Sequence, residues 1–342
     1  MNNTIIKFFI IVLSLFLISG CRFVKDRKIK TITIIDQLGR KVKIPEKIER
    51  IAALHHFGGK IVYALNQQHL LVEKSIFGNE AAALNKIDKS FAALPDMLTG
   101  NTYNFEGLAA LDPQIVFMYT SSSQSEREQF ENIGIPVVCV KGETIKESFE
   151  AIRLMAGVLH CKDKGEQYIK ACRDILDMVS TRLENYGGKP CKAMFAGPKS
   201  IYCVATGNML QSRILELSGA INVAKKVKGF WAEVSPEQLA VWNPDVIFLA
   251  TYNNLSTYDK ADIFNNPHIR TINAVRTGRI YWFPSNAGWW DYPAPNCVLG
   301  VIWSAKKIYP ELFLDIDIKV LANKFYKQFI GYTFEELGGR LN

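Results

Sequence analysis

Phe105-Glu106-Gly107-Leu108-Ala109-Ala110-Leu111-Asp112-Pro113-Gln114-Ile115-Val116-Phe117-Met118 aligns without a gap on Pro236-Glu237-Gln238-Leu239-Ala240-Val241-Trp242-Asn243-Pro244-Asp245-Val246-Ile247-Phe248-Leu249. Both stretches run Glu-x-Leu-Ala, then Asp-Pro or Asn-Pro, then a short apolar run. The physical plan is shared. Asn104 or Ser235 can cap a short helix, the glutamate falls in the first turn, where the helix dipole favours negative charge, and the proline closes the unit ahead of a buried strand. A helix–turn–strand unit repeated in separate halves of one chain predicts two lobes of similar plan.

Upstream, Thr31-Ile32-Thr33-Ile34-Ile35 and Val42-Lys43-Ile44 alternate apolar and polar residues around Asp36-Gln37-Leu38-Gly39, which predicts a hairpin. Ile51 to Leu54, Ile115 to Met118 and Val137 to Val140 are brief continuous apolar runs, with helical stretches at Lys60 to Leu65 and Glu126 to Asn132 between them. Alternation of buried strands with helices argues for a largely parallel α/β lobe. From Lys146 to Asn185 there is no proline, and Tyr168, Cys172, Ile175, Leu176, Val179 and Leu183 recur at helical spacing. A long helix is expected here after a shorter one, stopped at Gly187-Gly188-Lys189-Pro190. Strand-like Ala193 to Ala196 and Ile201 to Ala205 then open a second α/β stretch. The expected fold is therefore α/β, with two Rossmann-like lobes, mainly parallel sheets and one long rigid helix joining them. The divisions fall at 31–160 for the first lobe, 161–187 for the interlobe helix and 188–342 for the second lobe. A ligand cleft is expected between the lobes, at the strand ends.

The N-terminus supplies an address. Lys7 precedes an apolar run from Phe8 to Ile18 that is too short to span a bilayer comfortably, and residues 1–20 are read as a signal peptide. Leu17-Ile18-Ser19-Gly20-Cys21 resembles a bacterial lipobox, so Cys21 is expected to carry a lipid and to begin the mature chain. Residues 21–30, rich in Lys and Arg, form a lipidated tether. The chain is thus expected to be an exported bacterial lipoprotein, anchored to a membrane and facing the periplasm or the cell exterior. Of 342 residues, 48% are hydrophobic and 22% charged, the make-up of a folded globular protein. The net charge of +8 is compatible with an anionic partner, but the basic residues are scattered and nucleic acid is not expected. Export permits disulfides, yet cysteines 139, 161, 172, 191, 203 and 297 show no CxxC spacing, and Cys139 reads as a small buried residue.

Candidate ligand-binding residues sit where strands end. His55 and His56, followed by Phe57-Gly58-Gly59, come after the first buried strand, and Tyr119 and Thr120 open a polar loop after another. Tyr252 and Asn253 do the same in the second lobe, and Lys199 lies at a further strand end, a candidate for an anionic chelate or simply a solvated turn residue. Trp231 and the cluster Trp289, Trp290, Asp291 and Tyr292 supply aromatic surface for a planar or hydrophobic ligand, or pack beneath their own loop. His55 or His56 could coordinate a metal, although adjacent histidines do not easily converge on one ion. Trp242, Trp282 and Trp303 lie within helix or strand patterns and read as core. No nucleophile elbow, HExxH helix, Walker loop or dinucleotide turn is present. An enzyme is therefore not expected, a lipid-anchored hydrolase of unfamiliar type being the alternative of another class.

Taken in order, Asp36 to Arg40, Pro45, Arg50-Ile51, Phe105-Glu106 to Pro113, Gly219 to Ala224, Glu237 to Asp245, Ala274 to Tyr281 and Trp303 to Phe313 resemble the metal-chelate class of ABC substrate-binding proteins, receptors for ferric siderophores, haem and cobalamin. The resemblance spans nearly the whole mature chain. It implies limited hinge motion, no cofactor beyond a metal-bearing ligand, a monomer, and separate permease and ATPase partners. It also implies that Glu106 and Glu237 dock on permease arginines; first-turn helix charge is the alternative role. A ferric siderophore-like chelate ranks first as ligand, cobalamin or haem second, and molybdate or tungstate third.

Overall fold

The computed structural model describes residues 30–99, 102–197, 199–250, 258–284, 286–294 and 296–341. The expected signal peptide, Cys21 and all of the expected tether except Lys30 lie outside the described residues, as do Tyr252 and Asn253. Thr31–Ile35 and Lys41–Pro45 form the expected antiparallel hairpin, with Ile34 opposite Val42 and Ile32 opposite Ile44. Its turn is tied down by Asp36, whose Oδ2 accepts from Arg40 Nε at 2.9 Å, from Arg40 Nη2 at 2.8 Å and from the backbone of Cys139 at 3.2 Å. The hairpin is thereby fixed to the first sheet.

That sheet has three parallel strands in the order Ile51–Ala53, Ile115–Tyr119, Val137–Val140. Among the described residues the second sheet has six strands. Ile280–Trp282, Val246–Leu249 and Cys191–Ala196 are parallel neighbours, and Ala220–Asn222 pairs in parallel with the start of Cys191–Ala196. Cys203–Ala205 and Trp231–Glu233 complete it in antiparallel sense. The parallel strands Ile51–Ala53, Ile115–Tyr119, Val137–Val140 and Val246–Leu249 are buried throughout, as expected where helices cover both faces.

The repeated unit folds alike in each half. Asn104 Oδ1 accepts from Gly107 N at 2.9 Å ahead of the Phe105–Ala110 helix, and Ser235 Oγ accepts from Gln238 N at 3.2 Å ahead of Pro236–Trp242. Leu108 and Leu239 are fully buried, each in a small satellite core behind its own sheet. Burial of a leucine side chain is worth about 1.5–3 kcal/mol, enough to hold so short a helix on its strand.

Lys162–Glu184 is the long helix, with Tyr168, Ile169, Cys172, Ile175 and Val179 turned inward. The helix Ile318–Ile330 lies against it through Tyr168, whose ring centroid is 5.4 Å from Phe325 and 4.6 Å from Phe329. Ile318–Ile330 also reaches the first lobe, placing the Tyr326 ring 5.5 Å from Lys60 Nζ of the helix His56–Ala64. One apolar core therefore runs through both halves. Among the described residues no helix is long and apolar enough to cross a membrane.

Candidate functional site

The first wall of the cleft is built on the end of Ile51–Ala53. His55 caps the following helix: its Nδ1 accepts the Phe57 N–H at 3.2 Å. A nitrogen that accepts carries no proton, so the neutral ring holds its proton on Nε2. Burial, followed by the nearby His56, pushes the His55 pKa down to about 3 and keeps the ring neutral. Nε2 lies 3.3 Å from the Tyr292 hydroxyl of the opposite lobe. The imidazole N–H thus donates across the cleft, and the Tyr292 proton is left to point at a ligand. Burial raises the Tyr292 pKa, so the hydroxyl remains a donor.

Tyr119 stacks on His55 with centroids 4.3 Å apart and planes at 23°. Its hydroxyl accepts from Gly142 N at 3.1 Å and donates to Glu143 Oε1 at 2.7 Å. That proton is committed within the protein, in contrast to the proton on Tyr292.

The second wall is the N-terminal end of the helix Leu210–Leu217 together with Phe230, Trp231, Trp289, Tyr292 and Pro293. Met209 at the cap position makes no side-chain capping bond, and the first turn has no acidic residue. Met209, Leu210 and Gln211 line the cleft, so this end turns the positive pole of a helix dipole toward it. The cleft between the walls measures about 630 Å³. Among the described residues no lysine or arginine lines it, and Glu143 is the one acidic side chain that does.

Beneath the aromatic loop lies a buried ion pair. Lys60 Nζ is 2.7 Å from Glu80 Oε1 and 2.8 Å from Oε2, and His56 Nε2 is 3.5 Å from the same carboxylate. Gly288, at φ +82°, rests on this pair so closely that a Cβ there would lie 2.5 Å from Lys60 Nζ and 2.6 Å from Glu80 Oε2. Tyr326 holds the other side of the loop, accepting from Trp290 Nε1 and Asn296 Nδ2, each at 3.0 Å, and donating to the Ala287 carbonyl at 2.6 Å.

These contacts sort the residues singled out in the sequence. His55, Tyr119, Trp231, Trp289 and Tyr292 line the cleft. Trp290 does not: it is fully buried, spending its ring on Phe334 and its N–H on Tyr326. Asp291 is fully buried too, with its backbone carbonyl accepting from Gln211 Nε2 at 2.7 Å. His56 is buried behind the wall, taking the Phe77 N–H on Nδ1 at 3.4 Å. Thr120 and exposed Lys199 stand outside the cleft lining. With both His55 nitrogens engaged and His56 buried, neither imidazole offers a lone pair to the cleft, and among the described residues no three His, Cys, Asp or Glu side chains converge as a metal site.

Sequence reasoning missed Glu143, Met209 to Gln211, Phe230 and Pro293. Glu143 could have been found by the strand-end rule, since it follows Val137–Val140, and Phe230 by its neighbour Trp231. The helix end at Met209 gave no signal because it lacks the Ser, Thr, Asp or Asn that marks a cap.

A profile of the periplasmic binding protein family matches residues 51–287, the span that holds the first wall and the second wall as far as Trp231. The chain belongs to the periplasmic binding protein family. This binding protein is 29% identical to the molybdate-binding protein MolA of Haemophilus influenzae over 333 residues, covering 88% of this chain and 92% of that one. MolA bound to molybdate superposes with a TM-score of 0.74 at 25% identity, covering 88% of this chain and 98% of that one. A periplasmic solute-binding protein of Veillonella parvula gives a TM-score of 0.77 at 24% identity, covering 92% and 97%. The nickel–histidine complex of Helicobacter pylori CeuE gives 0.72 at 22% identity, covering 90% and 98%. The α/β architecture is accordingly the two-lobed fold of these receptors, and the protein is a solute-binding protein rather than an enzyme.

Proposed function

We propose that this binding protein is a lipid-anchored receptor that captures an oxyanion of the molybdate kind between its lobes and delivers it to the permease and ATPase of an ABC importer. The observation that carries the ligand is the donor set. The cleft offers the Tyr292 and Ser121 hydroxyls and the positive pole of the helix Leu210–Leu217, and among the described residues no cationic side chain lines it. Helix N-termini and oriented N–H groups hold dehydrated oxyanions without a counter-charge. Glu143 repels an anion from the first-lobe corner, so the ligand seats toward Tyr292 and the helix end. The likeness to a molybdate-binding protein over nearly the whole chain supports the same ligand.

The ferric chelate ranked first from sequence becomes the second reading. It is favoured by the aromatic wall of Phe230, Trp231 and Trp289 and by a cleft of about 630 Å³, roomy for a tetrahedral oxyanion. Trp231 and Trp289 make the test direct: a tryptophan-fluorescence titration with molybdate, tungstate and sulfate beside ferric citrate, nickel–histidine, haem and cobalamin. Saturable quenching by molybdate, competed by tungstate, is expected. Saturation by a chelate that molybdate cannot displace would overturn the assignment.

For delivery, Cys21 is read as the lipid attachment site. A lipid tether holds the receptor near a membrane-bound permease and raises its effective concentration there. Substituting Cys21 with alanine should release the mature protein from membranes in cell fractionation.

A further inference from the structure

Lys225-Lys226-Val227-Lys228-Gly229-Phe230 forms a turn that leads into the strand Trp231–Glu233. Lys225, Lys226 and Lys228 are exposed. Lys225 pairs with Glu216 at 2.6 Å, whereas Lys226 and Lys228 enter no ion pair among the described residues. Phe230 is 61% exposed although aromatic, and it lines the cleft beside Trp231. The turn therefore ends at the mouth.

It is also fastened there. Thr206 Oγ1 donates to the Gly229 carbonyl at 2.6 Å, and Gly207 packs so closely on the turn that a Cβ would come 2.2 Å from the Lys225 carbonyl oxygen. Residues 206–209 run directly into the helix end that lines the cleft. Two unpaired cations are thus carried on a fixed lip over a site whose described lining holds none.

From this juxtaposition we propose that Lys226 and Lys228 are the electrostatic entrance of the cleft, drawing an anionic solute to a site that then binds it through neutral donors. The division of labour is physical. Exposed charges at a low-dielectric mouth raise the encounter rate and are screened by salt, while groups that do not touch the bound ligand leave its escape rate alone. The inference rests on the anionic-ligand reading above.

Stopped-flow tryptophan fluorescence with molybdate, at low and high ionic strength, tests it on the double variant Lys226→Gln, Lys228→Gln. The association rate should fall about fivefold at low salt and converge with wild type at high salt, with the dissociation rate unchanged. The Lys226→Arg, Lys228→Arg variant should keep the wild-type rate. An equilibrium signal in all three proteins with identical association rates and salt dependence defeats the entrance alone. No equilibrium signal from the wild type with either molybdate or ferric citrate removes the anionic ligand, and the entrance with it.

Discussion

Lys60 and Glu80 form an ion pair that is closed to solvent, Nζ lying within 2.8 Å of both carboxylate oxygens, and the backbone of Gly288 from the other half of the chain lies directly on it. Such a pair is costly to assemble and costlier to break, because removing one partner strands the other in a low dielectric. What it secures is position: the loop carrying Trp289 and Tyr292 has a fixed polar floor.

Glu80→Gln should therefore destabilise the protein by about 3–5 kcal/mol in urea unfolding. The double variant Lys60→Met, Glu80→Leu should recover most of that loss. Although burial alone opposes it, Lys60 and His56 hold the Glu80 pKa at about 2, below its ordinary 4.5. A depressed carboxylate contributes stability that is present above the ordinary value and is lost as pH falls from about 4.5 through about 2. Unfolding followed across that window should show the loss in wild type and not in the double variant.

Glu73 predicts the opposite slope. It is fully buried, its Oε1 accepts the Ala53 N–H at 2.9 Å just before His55, and burial raises its pKa from 4.5 to about 8. A raised carboxyl is protonated in the folded protein at neutral pH, so its contribution is complete below about 4.5 and is lost as pH rises through about 8. Glu73→Gln keeps the acceptor and cannot ionise. Urea unfolding should find it close to wild type at acid pH and more stable than wild type in mild alkali.

Tyr292→Phe removes the hydroxyl proton that the His55 tautomer leaves free to face the cleft. Molybdate affinity should fall about tenfold by fluorescence titration, the worth of a hydrogen bond to an anion. Thermal unfolding of the unliganded protein should barely move, since Tyr292 is only partly buried and gives up a single bond at 3.3 Å.

Reversing the charge of Glu106 and Glu237 tests delivery separately from capture. Both sit in the first turns of the repeated helices, outside the cleft lining. Fluorescence titration should find ligand affinity unchanged, and cellular molybdate uptake should fall sharply. Loss of affinity instead would refute a docking role.

Local signals made the scaffold readable. The hairpin, the buried runs and the capped repeat each announce themselves within a few residues, through period two, apolar continuity, or an Asn or Ser ahead of a glutamate. The cleft was harder because neighbours in one loop face opposite ways: Trp289 and Tyr292 line it, while Trp290 and Asp291 between them are buried. Nothing local distinguishes them. Lys60 hid for a similar reason. A lysine in an apolar helix reads as solvated, and its partner Glu80 lies on a separate helix, Gly78–Ile87, that only the tertiary fold brings near.

The hydroxyl of Tyr326 has a consequence for biogenesis. It gathers Trp290, Asn296 and the Ala287 carbonyl, and it belongs to a helix formed well after the cleft residues in chain order. A chain that folds from its N-terminus can form its two sheets early and lay Gly288 on the Lys60–Glu80 pair, but its aromatic loop lacks the Tyr326 anchor until Ile318–Ile330 arrives. The aromatic wall is thus completed by the last helix of the chain, and a protein cut before Ile318 should keep both sheets and hold its solute more weakly.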